Sequence, residues 1–235
     1  MTADASPSAP AIVLGTASFG TGTPQAKFNS QSTAGPLLSV CQERGVTLVD
    51  CARAYPVGNP GSAEKLLGDL GVGTWATIST KVTSWAPGSH SADQIAASVP
   101  LSLDALGVES VDIMYLHAPD RATPWAVTCK AMDEQWRQGR FRRFGLSNYT
   151  AEEVDQICQT CHDNGWIRPS VYQGRYNAII RSGEEQLWPT LRKWGISFYA
   201  YRYPVPPSCL LRLSHAADRL TPYAAPPPQA CSAAP

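Results

Sequence analysis

The strongest constraint on this chain is a regular beat along it. Short apolar runs, rich in β-branched and aromatic residues, recur at 11–20 (AIVLGTASFG), 47–52 (TLVDCA), 76–82 (ATISTKV), 111–118 (VDIMYLHA), 142–148 (RRFGLSN), 170–177 (SVYQGRYN) and 196–201 (ISFYAY). Amphipathic, helix-forming segments lie between them. Strands alternating with helices bury their apolar faces as βαβ units around a parallel sheet. Helix starts are signed by SADQ (91–94), TAEE (150–153) and SGEE (182–185), each with capping-box spacing, and by Thr123–Pro124. Gly45, Gly107, Gly139, Gly165 and Gly195 fall where left-handed residues close helices.

Seven strands and six crossover helices can be counted in this pattern. It predicts an α/β fold, a (β/α)8 TIM barrel that is incomplete, its eighth strand missing. An open doubly wound sheet is the competing arrangement. It is disfavoured because GTASFGTG (15–22) follows the first strand with the wrong spacing for a dinucleotide fingerprint and opens no helix.

In a barrel, chemistry gathers at the C-terminal ends of strands. Those ends can be read off. Asp50 closes strand two, with Tyr55 just beyond it; Lys81 closes strand three and His117 strand four. Ser147 and Asn148 close strand five, Gln173 lies in strand six, and Tyr201 ends strand seven. A carboxylate at the mouth of a buried strand needs a cation, since burying it unpaired costs several kcal/mol. Lys81, on the neighbouring strand, is the predicted partner. A fixed ammonium beside Tyr55 is expected to lower the phenol's pKa toward a usable general acid. His117 could then donate to a carbonyl oxygen or to the phenol.

These residues resemble the catalytic tetrad of the aldo-keto reductases. The strings VDCARAY, STK, YLHAPD, GLSNY and VYQGRYN are most similar to the aflatoxin-aldehyde reductase branch, over about Val13 to Tyr201. The resemblance implies reduction of an aldehyde or ketone with NADP(H) as cofactor, and a habit of service in secondary metabolism. It implies that Tyr55 gives the proton, that Lys81 oriented by Asp50 tunes it, and that His117 orients the substrate carbonyl. It further implies that Ser147, Asn148 and Gln173 hydrogen-bond the nicotinamide carboxamide and that Tyr201 stacks on its ring.

Other features have plainer readings. CQTCH (158–162) matches a haem-attachment signature, but Val154, Ile157, Cys158 and Cys161 form one helical stripe, which predicts thiols packed against the sheet. Trp85 follows Lys81 in a loop and could line a substrate pocket or simply pack. Trp125, Trp136, Trp166, Trp188 and Trp194 read as packing residues on outer helices. No metal-ligand spacing stands out.

Nineteen basic residues balance nineteen acidic ones, which argues against a nucleic-acid or membrane partner. The expected partner is a small carbonyl compound. Residues 1–10 lack the pattern of a signal peptide, and seven cysteines form no disulfide framework, so a cytoplasmic location is expected.

Three segments follow: a disordered start (1–10), a barrel domain (11–202) and a divergent, Pro/Ala-rich tail (203–235), largely disordered apart from a short helix over 210–220. The family pattern stops at the tail. Arg202 and Arg212 could stand in for a cofactor phosphate site, but nothing in their spacing argues for it. The alternative reading is therefore an inactive, truncated remnant that binds no cofactor. Open sheet edges would also invite homo-oligomers.

Overall fold

The computed structural model describes residues 11–201. The expected disordered ends, the helix over 210–220, Arg202 and Arg212 lie outside the described residues. Within them the chain runs β1 (Val13–Gly15), α1 (Gln31–Glu43), β2 (Leu48–Asp50), α2 (Ser62–Asp69), β3 (Thr77–Val82), α3 (Ala92–Leu106) and β4 (Val111–Leu116). It continues through α4 (Trp125–Arg137), β5 (Phe141–Ser147), α5 (Ala151–Asp163), β6 (Pro169–Arg175), α6 (Leu187–Trp194) and β7 (Ser197–Tyr201).

All seven strands are parallel and pair in sequence order. The sheet is a curled partial barrel with its helices outside, an incomplete (β/α)8 architecture. Among the described residues there is no eighth strand. A hydrogen bond from Gln173 Nε2 on β6 to Asp50 Oδ1 on β2 measures the curl: side chains four strands apart meet at 2.8 Å.

Period-2 alternation sorts the strand residues into two faces. Val49, Ile78, Met114, Phe144, Leu146 and Tyr172 point outward into the main core under the helices. Lys81, Tyr115, Gly145 and Val171 share one register row and point inward. The inner face is filled by Ile113, Tyr115 and Val171, with Tyr199 against them. Gly145 has a packing reason: a Cβ there would overlap the Tyr115 ring.

Local signals mostly hold. Thr150 and Glu153 make the reciprocal capping box at 3.2 and 2.9 Å. The five glycines expected to close helices all have positive φ. The stripe Val154, Ile157, Cys158, Cys161 is fully buried, so CQTCH supplies core thiols.

Other local expectations need correction. SGEE caps nothing, because α6 begins only at Leu187 behind Gln186. Thr123 gives its hydroxyl to Asp120 at 2.6 Å, leaving Pro124 as the N-cap of α4. The first apolar run is a strand only over Val13–Gly15. Trp136 is exposed, whereas Trp125, Trp166, Trp188 and Trp194 pack against the core as expected. No helix among the described residues is long and apolar enough to cross a membrane.

Candidate active site

Asp50 ends β2 and is held from its backbone as well as its side chain. Its carbonyl accepts from the amide and hydroxyl of Thr16, at 3.0 and 2.9 Å. Lys81, one strand over, is fully buried. Its Nζ donates to both Asp50 carboxylate oxygens, at 2.9 and 2.7 Å, and to the Cys51 carbonyl at 2.6 Å. An ammonium has three N–H donors, so these contacts use its capacity. Burial alone would lower the Lys81 pKa, but the charge and hydrogen bonds of Asp50, together with Tyr55 and Cys51, outweigh that and raise it. The ion pair expected from the sequence is therefore present and charged.

Tyr55 sits beyond β2, with Lys81 Nζ 5.2 Å from its ring centre. Here the expectation of a lowered pKa is overturned. Burial raises the phenol's pKa, and the opposing pull of Lys81 does not overcome it. Desolvation penalises phenolate, and the nearby Asp50 charge partly cancels the ammonium.

His117, just past β4, meets the Tyr55 ring edge-on at 5.5 Å. Burial and the Lys81 charge push its pKa down to about 3, so the imidazole is neutral. Its Nδ1 is buried without a hydrogen-bond partner. Trp85 also packs against the imidazole in a T-shaped contact, ring centres 4.4 Å apart; this tryptophan is 61% exposed and holds a φ of 77°. That backbone region is strained for a bulky residue. It brings the indole against His117, just past the end of β4. Trp85 is thus placed at the site, one of the two roles open to it in the sequence.

The strand ends of β5, β6 and β7 form the opposite rim. Asn148 adopts a left-handed φ of 65°, which asparagine tolerates. Its Nδ2 donates to the His117 carbonyl at 2.8 Å and to Ser147 Oγ at 3.0 Å. Tyr201 donates its hydroxyl to Asn148 Oδ1 at 3.0 Å. Gln173 uses its amide nitrogen on Asp50. A cavity of about 280 Å³ beside this rim is lined by Asn148, Tyr201, Arg175 and Ser182 among others. All eight residues singled out in the sequence thus converge on one end of the sheet.

Sequence reasoning missed a second set. Ser84 Oγ bonds His90 Nε2 at 2.9 Å and accepts from the Ala118 amide at 3.3 Å, while Asp120 accepts from the His90 amide at 3.0 Å. This ties the loop carrying Trp85 to the loop after His117. Arg53, Glu64 and Thr80 were also missed. Their one sequence signal was a glutamate in the first turn of α2.

Fold and site together define a (β/α)-barrel protein whose strand tops hold an Asp–Lys pair, a tyrosine and a neutral histidine. The chain belongs to the aldo/keto reductase family, whose profile matches residues 11–204. It is 42% identical to an aldo-keto reductase of Pseudocercospora fijiensis over 70% of this chain and 56% of that protein. It is 39% identical to aflatoxin B1 aldehyde reductase member 2 of Mus musculus over 85% of this chain and 53% of that protein. To aflatoxin B1 aldehyde reductase member 4 of Homo sapiens it is 38% identical, over 82% of this chain and 57% of that protein. The chain spans about half the length of the relatives it matches.

Proposed function

We propose that this site reduces an aldehyde or ketone to an alcohol with NADPH, as a cytoplasmic enzyme acting on a small molecule. The observation that carries the reading is the buried Lys81, held by Asp50 with its ammonium over the Tyr55 ring. The donor set suits the nicotinamide end of the cofactor. With the Asn148 amide and the Gln173 amide nitrogen engaged within the protein, the Ser147 hydroxyl proton and the Gln173 amide oxygen are left for a carboxamide, held in place by Asn148, with the Tyr201 ring beside them. NADPH, when bound, supplies the hydride for the carbonyl carbon.

The protein's own groups manage charge. Burial keeps the Tyr55 proton in place at neutral pH, so the residue presents an acid. Lys81 stabilises the phenolate left after transfer to the carbonyl oxygen. Its three N–H groups are committed elsewhere, so it acts by charge through space. His117, being neutral, offers the carbonyl oxygen a hydrogen bond without adding a second cation next to Lys81.

Exposed Trp85, packed against His117, gives the mouth an apolar surface that favours a hydrophobic carbonyl compound. The relatives named for aflatoxin B1 aldehyde support an aldehyde as the substrate class. The free cysteines of the described residues are all buried, which suits a reducing compartment. Service in secondary metabolism and self-association through the sheet edges remain part of this proposal.

The test is a titration with NADPH followed by tryptophan quenching, then aldehyde-dependent NADPH consumption. Saturation near micromolar, roughly −8 kcal/mol, is expected. Tyr55→Phe should cut kcat by about 10²- to 10⁴-fold with the NADPH affinity kept. Absence of saturable binding up to millimolar NADPH would overturn the reading.

A further inference from the structure

The Asp50–Lys81 pair explains what holds the lysine, but nothing in it fixes the tyrosine. Among the described residues no hydrogen bond holds the Tyr55 hydroxyl. Tyr55 rides on the segment between β2 and α2, and its distance from Lys81 depends on how that segment is tied down.

One buried carboxylate ties it. Glu64 lies in the first turn of α2 and is fully buried. Its two oxygens take different donors. Oε1 accepts from Thr80 Oγ1 at 2.6 Å, and Thr80 immediately precedes Lys81. Oε2 accepts from Arg53 Nη1 at 3.0 Å, and Arg53 lies two residues before Tyr55. The backbone follows the same plan. The Arg53 amide donates to the Lys81 carbonyl at 3.0 Å, and the Ala63 amide donates to the Tyr55 carbonyl at 3.3 Å. Gly61, at φ 83°, leaves the space the guanidinium fills; a Cβ there would lie 2.6 Å from it.

We propose that Glu64 is a positioning residue for the Tyr55–Lys81 pair: its carboxylate clamps Thr80, immediately before the lysine, to Arg53, two residues before the tyrosine. This rests on the reductase reading for its catalytic meaning and on geometry for its placement. A buried carboxylate could have been satisfied by donors from a single element. Here its donors come from the two segments whose separation sets the site, one oxygen for each. Replacing the carboxylate by an amide leaves one acceptor oxygen and no charge: the Thr80 hydroxyl can turn to accept from the amide, but the charge-assisted bond to Arg53 becomes a neutral one, so that arm of the clamp loosens. Misplacement by about 1 Å costs as much as 10²-fold in rate.

The experiment uses ring-labelled tyrosine and the full chain. The Tyr55 resonance is assigned by its loss in Tyr55→Phe, and the nuclear Overhauser effect between the Tyr55 and His117 rings reports their 5.5 Å contact. Glu64→Gln is expected to weaken that effect, to lower kcat by about 10- to 100-fold and to leave NADPH affinity unchanged. Thr80→Val removes one arm without touching the carboxylate and is expected to do the same; it decides the matter where Glu64→Gln does not fold. If both folded variants keep the ring contact and merely unfold at lower temperature, Glu64 is only structural and the proposal is overturned. The ring contact is read whether or not the wild-type chain reduces an aldehyde. A failure of the reductase reading is therefore distinguishable from a failure of the clamp.

Discussion

At the scale of the residue, the site is a problem of buried charge. Asp50 has two kinds of donor, Lys81 and Gln173. Lys81→Met leaves the carboxylate with the neutral amide alone. Breaking a buried pair from one side costs about 3–5 kcal/mol, because the remaining charge keeps its desolvation penalty. Urea unfolding at neutral pH should show a loss of that size, and Lys81→Met together with Asp50→Asn should recover part of it. The histidines make the opposite demand. His117 is held down to about 3, by burial and then by Lys81. His90 is held down to about 4 by burial, against the pull of Asp120. In each case the unfolded chain takes up its proton first, below the ordinary value near 6.5. The stability these residues contribute is whole above that value and is lost as pH falls toward 4 and 3. The unfolding free energy measured by denaturant should therefore fall between pH 7 and 4.5, and His90→Gln should flatten part of that slope. An unchanged slope in His90→Gln would show that its imidazole does not titrate on unfolding.

At the scale of the element, Gly145 separates propensity from packing. A glycine inside a strand is ordinarily a weakness, and alanine would be expected to stabilise it. In β5 the expected sign reverses, since the added Cβ runs into the Tyr115 ring on the inner face. Gly145→Ala should cost about 1–3 kcal/mol by equilibrium unfolding, as overpacking does. The same contrast explains what the sequence made legible. Strand runs and helix-closing glycines depend on local patterns, and they were readable. So were Asp50, Lys81 and His117, because a barrel sends successive strand ends to one face. The SGEE and Thr123 caps misled because short polar motifs serve turns as well as helix starts. The direction of the Tyr55 shift was illegible for a different reason. It is a balance of desolvation against two opposite charges, and only the fold sets their distances. Glu64 was hidden likewise, since its donors come from segments 11 residues before it and 16 after it.

At the scale of the whole molecule, stability and function are distributed unevenly across the sheet. β3 through β6 are mostly buried, whereas β1 and β7 are half-exposed and, among the described residues, hydrogen-bonded to a strand on one side only. Strands with few buried contacts open at low free energy, and those at the centre open only near the global limit. Amide hydrogen exchange should therefore be slowest in β4 and β5 and fastest in β1 and β7. Tyr201, the ring proposed to stack on the nicotinamide, lies at the end of β7. A ligand that binds the folded state slows opening wherever it makes its contacts, by an amount set by its concentration over its Kd. NADPH at about 100 times its Kd could slow β7 opening as much as 100-fold, while β4, already near the global limit, gains only what the whole fold gains. Exchange followed by mass spectrometry, with and without NADPH, reads both strands in one sample. Protection concentrated in β7 would place the cofactor on the Tyr201 rim. Protection spread evenly over the sheet, or confined to β2 and β3, would move it off that rim and leave Tyr201 a packing residue of the strand it ends.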